Sequence, residues 1–438
     1  MGRLVLRRVS HDNPDKCCHP LSRQRRPQRV RTNMLTVLSR ATLSAPTRRL
    51  VCRSTATFAQ TIFDPPPPPP IEPVQAIKPA AVAKSPVAVV RTDWTREEIA
   101  AIYRLPFTEL LYRASTIHRQ NFDPLEVQKC TLLSIKTGGC NEDCKYCAQS
   151  SRYKTEVKPT PMMSVDAVVE AAARAKDAGS TRFCMGTAWR ELGNKKGSFG
   201  KILSMVEQVN GMGLEVCCTL GMVNERQAKE LKAAGLTAYN HNLDTSREHY
   251  PSVISTRTYD DRLQTIKNVR AAGISVCCGG ILGIGESEAD RIGLLHELAT
   301  MDSHPESVPV NALVPIEGTP MMDLASDVPD VFQMARTIAT ARVIMPRSMV
   351  RLSAGRMSFS QIEQTVMFMA GANSIFTGDK LLTTANPAFD EDMALFDSLG
   401  LKGKKPFTSP LVDERGVQAE EPQRILQEPL AAGRAVGA

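Results

Sequence analysis

The 438-residue chain is long enough for one large domain or two or three smaller ones with a sizeable core, and its formal net charge is +8. That charge is concentrated: residues 1–63 carry 13 Lys and Arg against 2 Asp and Glu, a net of +11, which leaves −3 for the rest. A net acidic body excludes a nucleic-acid binder by composition. No apolar stretch approaches the ~20 residues of a membrane span, and 12 cysteines in so long a chain read as reduced thiols rather than a secreted disulfide framework.

Residues 1–33 are rich in arginine and lack hydrophobic periodicity. From Met34 to Phe63 there are four arginines, nine Ser and Thr, and no acid. This composition reads as a mitochondrial transit peptide and predicts a place in the mitochondrial matrix; a disordered basic tail is the alternative, and Met34 offers a second start. The run Pro65–Pro70 and the Ala/Pro/Val-rich residues after it favour extended backbone and cannot build a helix, so residues 64–91 are a linker. The folded body begins near Thr92. Thr95 stands three residues before Glu98, as in a capping box, and two short helices over about 95–103 and 106–118 are expected to pack beneath the body.

From Cys130 strand and helix patterns alternate. Strands are expected at 130–136, 181–187, 214–220, 236–243, 274–282, 307–314, 348–353 and 373–377. Helices are expected near 164–178, 200–211, 222–234, 258–272, 286–301, 329–344 and 358–370. Eight alternations over residues 130–378 match an α/β fold of the TIM type, a (β/α)8 barrel of about 250 residues with an N-terminal helical extension. An open doubly wound sheet is the alternative. Residues 379–403 read as a loop and a short helix, and residues 404–438 as a polar, disordered tail.

Directly after the first strand, Gly138 to Cys147 packs Cys140, Cys144 and Cys147 into one short loop. Four ligands would complete a tetrahedral zinc site, whereas three thiolates on a [4Fe-4S] cluster leave one iron open. A zinc loop borrowing a distant ligand, or three unrelated buried thiols, are the competing readings. Further cysteines sit on the strands: Cys184, the pair Cys217-Cys218 and the pair Cys277-Cys278. Side chains alternate along a strand, so one member of each pair faces the interior; a buried thiol can also be a small hydrophobe. Asn240, Asn242 and Asp244 share a face of the fourth strand. Buried without partners they would cost roughly 1–3 kcal/mol each, so a polar ligand is expected there unless they face helices or solvent. Arg351 shares a face with Ser353. If buried it needs an anionic or cluster neighbour; otherwise it forms a surface salt bridge.

The runs Leu133–Gln149, Phe183–Trp189, Glu215–Gly221, Tyr239–Ser246, Cys277–Glu286, Val310–Leu313, Arg351–Arg356 and Gly371–Phe376 resemble the biotin synthase family of the radical S-adenosylmethionine superfamily, over about residues 95–402. The resemblance implies that Cys140, Cys144 and Cys147 hold a [4Fe-4S] cluster whose open iron binds S-adenosylmethionine. It implies that Cys184, Cys217, Cys277 and Arg351 ligate a [2Fe-2S] cluster deeper in the barrel, with Cys218 and Cys278 turned away. It also implies that Tyr146, Asn242, Asp244 and Arg262 surround the cofactor, Arg262 at its methionine carboxylate, and that Asn240, Asn242 and Asn311 meet the substrate. The implied reaction is radical insertion of sulfur into dethiobiotin. The implied partners are a ferredoxin- or flavodoxin-type electron donor, iron–sulfur assembly proteins and a second copy in a homodimer.

Overall fold

Parallel strands need crossovers of a dozen or more residues, and the helices of this chain supply them. The computed structural model describes residues 90–405, apart from Asp379 and Ala388. The expected leader over 1–63, nearly all of the linker, and the tail beyond Lys405 lie outside the described residues.

The barrel is made of β1 (Glu126–Lys136), β2 (Arg182–Thr187), β3 (Glu215–Thr219), β4 (Ala238–Asn240), β5 (Ser275–Cys277), β6 (Gly280–Leu282), β7 (Ser307–Ala312), β8 (Met349–Leu352) and β9 (Ser374–Phe376). All pairings between them are parallel, and β9 returns to β1 through Gln128–Ser374 and Cys130–Phe376, so the sheet closes. The open-sheet alternative is thereby excluded. β5 and β6 form one stave, bent at Cys278 and Gly279. A side chain on Gly279 would begin 2.0 Å from the Pro309 carbonyl oxygen, and one on Gly280 would meet the Asp244 carbonyl oxygen at 2.7 Å. Only glycine admits this approach.

Three expectations shift. The first strand begins at Glu126, four residues before the expected start; the fourth, expected over 236–243, ends at Asn240; and a short strand β10 (Lys402–Gly403) pairs with Glu126 and Val127. Thr95 does cap α1 (Arg96–Tyr103): its hydroxyl accepts from the Glu98 N–H at 3.1 Å, while the Glu98 carboxylate accepts from the Thr95 N–H at 2.9 Å. α1 and α2 (Phe107–Asn121) lie against α8 (Glu288–Ala299) and α9 (Val331–Ile344) of the outer ring.

Apolar side chains divide into two clusters. The larger fills the layer between strands and helices and takes in Cys218 and Cys278. The smaller lies inside the barrel and joins Cys130, Cys184, Cys217, Ala238, Phe376 and Leu381. Strand alternation separates Cys217 from Cys218 in this way.

Candidate functional site

At the carboxyl ends of the strands a cavity of about 330 Å3 opens, the size of a small-molecule site. The loop after β1 supplies Cys144, Tyr146 and Cys147; β2 and β3 supply Cys184 and Cys217; the segment from β4 supplies Asn240, His241, Asn242 and Asp244; Arg262, Asn311 and Arg351 also line it. Cys140 and Cys277 stand outside the lining. A wider hollow of about 820 Å3 on the outer helices, lined by Glu225, Arg226, Lys229 and Glu230 among others, carries none of these residues.

The loop owes its path to Gly138 and Gly139, whose φ angles are +69° and +70°. A Cβ on Gly138 would sit 3.0 Å from Pro159 backbone atoms. Cys140 N–H donates to the Gln149 carbonyl at 2.9 Å, and the Cys140 carbonyl accepts from Ser151 N–H at 2.7 Å. Asp143 ties the loop to the segment before α7 (Tyr259–Ala271): its carboxylate accepts from the Ser255 N–H at 2.9 Å and from the Thr256 N–H at 3.1 Å and hydroxyl at 2.9 Å. Burial raises the Asp143 pKa, but hydrogen bonds from Ser255 and Thr256 outweigh it and bring it to about 2. Burial pushes Cys147 up to about 11 and Cys144 further still, so both are protonated unless a metal takes the proton's place. Among the described residues no three His, Cys, Asp or Glu side chains converge to hold a single metal ion.

Above the loop, Asp244 is the hub. Its Oδ2 accepts from the Tyr146 hydroxyl at 2.8 Å and pairs with Arg262 Nη2 at 2.6 Å, both partners of the ion pair being buried. Arg262 Nε donates to the Tyr250 hydroxyl at 2.8 Å, and Nη1 to the Asn242 carbonyl. Each nitrogen is engaged, which leaves one N–H on each terminal nitrogen for a ligand. Asp244 has φ +69°, the one described non-glycine residue with positive φ, a conformation that aspartate tolerates and that recurs at functional sites. Side chains at the end of the fourth strand, for which a polar ligand is expected, also have partners within the protein. Asn240 Nδ2 donates to Asn242 Oδ1 at 3.1 Å and approaches Cys277 Sγ at 3.3 Å, Asn242 Oδ1 accepts from Gly279 N–H at 3.2 Å, and Asn311 binds the Gly280 carbonyl at 2.8 Å. Because β4 ends at Asn240, strand parity stops there, and His241 also reaches the cavity.

Deeper, Cys184 donates its S–H to Cys217, which lowers the Cys217 pKa despite burial. Arg351 is 1% exposed and is no surface salt bridge. Its Nε donates to Ser374 Oγ at 2.9 Å, its Nη1 reaches Cys277 Sγ at 3.5 Å and its guanidinium covers Phe376 at 4.9 Å. Around these thiols stand residues the sequence reading missed: Gln128, Cys130, Arg182 and Glu215. Arg182 and Glu215 are each two residues before a strand cysteine, so the parity that selected the cysteines could have found them. The loop after β9 was also missed: Leu381, Leu382, Thr383 and Thr384 close one wall of the cavity.

Comparison with known proteins agrees with this geometry. Residues 134–298 match the model of the radical SAM superfamily, and residues 309–402 that of the biotin and thiamin synthesis associated domain. The chain is 60% identical over 316 residues to "Biotin synthase, mitochondrial" of Arabidopsis thaliana, covering 72% of this chain and 83% of that protein. The chain belongs to the biotin synthase family. The Schizosaccharomyces pombe member is 58% identical over 74% of this chain and 89% of its own length, and the mitochondrial member from Emericella nidulans 53% over 80% and 86%. Among solved structures, methylornithine synthase superposes with a TM-score of 0.59 at 18% identity over 72% of this chain and 94% of that one, a likeness of fold alone. An iron–sulfur cluster and S-adenosylmethionine are the cofactors of this family of radical sulfurtransferases. The residues present fit them: free thiols lie at the mouth and inside one cavity.

Proposed function

We propose that this chain inserts sulfur into dethiobiotin to form biotin, with a [4Fe-4S] cluster held by Cys140, Cys144 and Cys147 and a [2Fe-2S] cluster held by Cys184, Cys217, Cys277 and Arg351. The observation that carries this reading is a single cavity lined by Cys144 and Cys147 from the loop and by Cys184, Cys217 and Arg351 from the strands. The two saturated carbons to be bridged have no acidic hydrogen, so the bound clusters and S-adenosylmethionine supply the one-electron chemistry and the sulfur.

The chain's own residues bind, orient and shield. Three loop thiols leave one ligand position of the first cluster to S-adenosylmethionine. Asp244, fixed by Tyr146 and Arg262, would hold the nucleoside hydroxyls through its carboxylate, and the remaining N–H groups of Arg262 would bind the methionine carboxylate. Asn242 bridges that region to the substrate, whose ureido ring meets Asn240 and Asn311, amides able to pair with both its N–H and its C=O. Leu381 and Leu382 keep water from the reacting carbons.

A ferredoxin- or flavodoxin-type donor and iron–sulfur assembly proteins complete the reading, since clusters of this kind must be reduced and rebuilt. The basic, acid-free segment 34–63 and the mitochondrial relatives support the mitochondrial matrix. Exposed Tyr112, Phe332 and Ile362 on α2, α9 and α10 (Gln361–Met369), helices that pack on one another, support a homodimer. The reading is tested with Cys184→Ala after anaerobic reconstitution. It is expected to consume S-adenosylmethionine and form no biotin; biotin made by this variant without its second centre would overturn the assignment.

A further inference from the structure

Cys130 has no part in the roles above, yet it lies fully buried in the interior cluster with Cys184 and Cys217. Its Sγ is 3.6 Å from Gln128 Oε1 and 3.8 Å from Ser374 Oγ. The same two side chains hold the guanidinium of Arg351, through Nη2 at 3.4 Å and Nε at 2.9 Å. Thiol and guanidinium therefore share both polar partners.

Arg182 adds an independent observation. It is 5% exposed, pairs with Glu215 at 2.7 Å, and stands beside Cys130 in the register of β1 and β2. Its Nη1 is buried with no hydrogen-bond partner among the described residues. A buried donor of this kind calls for an acceptor, and thiolate or inorganic sulfide in the space between these thiols would provide it.

Chemistry distinguishes the two candidates for the last iron position. A guanidinium carries donors only and holds its proton tightly. A thiolate is the soft ligand that iron–sulfur clusters ordinarily take. We propose that Cys130 is the reserve ligand of the second cluster, the thiol that takes over the iron position of Arg351 when that side chain withdraws. In the exchange the iron–nitrogen bond breaks and an iron–sulfur bond forms. The Cys130 proton passes to the departing guanidine, which becomes guanidinium, and no oxidation state changes. The inference rests on the assignment of the second cluster and makes the site convertible between three-thiolate and four-thiolate forms.

The test uses the full chain, reconstituted anaerobically, as wild type, Arg351→Leu, Cys130→Ser and the double variant; Arg351→Gln, which keeps a donor for Ser374, replaces Arg351→Leu should that protein not fold. Iron and sulfide per chain, Mössbauer spectra and the rate of iron loss to a chelator are measured, with the loop cluster as the internal control for folding. Arg351→Leu is expected to keep both centres, with the two irons of the second becoming alike. Removing Cys130 in that background is expected to speed loss of the second centre's iron by about 10-fold or more. Equal rates in Arg351→Leu and the double variant, or two unlike irons persisting in Arg351→Leu, would overturn the inference alone. A wild type with only the loop cluster would overturn the assignment of the second cluster together with it.

Discussion

Cys140, Cys144 and Cys147 lie within eight residues of chain on a loop held by backbone hydrogen bonds, whereas Cys184, Cys217 and Cys277 come from three separate strands, Cys184 and Cys217 being brought together by the β2–β3 register. The loop thiols sit at a partly exposed mouth beside polar side chains. The strand thiols are buried with two arginines, a carboxylate and a further thiol. A cofactor bound at the first place would lie near solution, while one at the second would be enclosed. A metal site made from local sequence can be loaded by itself, whereas one made from register requires the folded barrel first.

The largest expected effect comes from breaking the loop set. Cys147→Ala should abolish both consumption of S-adenosylmethionine and biotin formation while the second centre's iron is retained, which an iron assay with product analysis checks. Next is Asp244→Asn, which leaves Arg262 as an uncompensated buried charge. Breaking such a pair costs about 3–5 kcal/mol, so the denaturation midpoint should fall and binding of S-adenosylmethionine should weaken, with the strand thiols' metal content little changed. Gly138→Ala forces a side chain at φ +69° against Pro159; it should cost about 1–2 kcal/mol and lower the iron of the loop cluster alone.

Much of this comparison was legible before any coordinates. The loop set is contiguous, so spacing alone exposes it, and eight strand–helix alternations sufficed for the barrel. What escaped were contacts made by register and by short departures from periodicity. The bend at Gly279 divides one expected strand into β5 and β6, and the early end of β4 lets His241 join a cavity that strict alternation would deny it. Gln128 and Cys130 were missed because their significance appears only where β1 meets β9. Asn240, Asn242 and Asp244 do line one cavity, but the partners of Asn240 and Asn242 lie on β3, β5 and the bend after it, beyond the reach of any local pattern.

The smallest effect is on acid stability. The Asp143 pKa, about 2, is below the ~3.9 of a free aspartate. Its contribution is therefore fully present above about pH 4 and is lost as pH falls toward 2. Asp143→Asn should flatten that limb of a stability–pH curve and leave the curve above pH 5 parallel to wild type.

Whether one cavity serves two different iron–sulfur centres is decided by iron and sulfide analysis with Mössbauer spectroscopy on the anaerobically reconstituted full chain. Both [4Fe-4S] and [2Fe-2S] signals are expected in one protein. A single [4Fe-4S] signal, or zinc in place of iron, would overturn the proposed pair of centres.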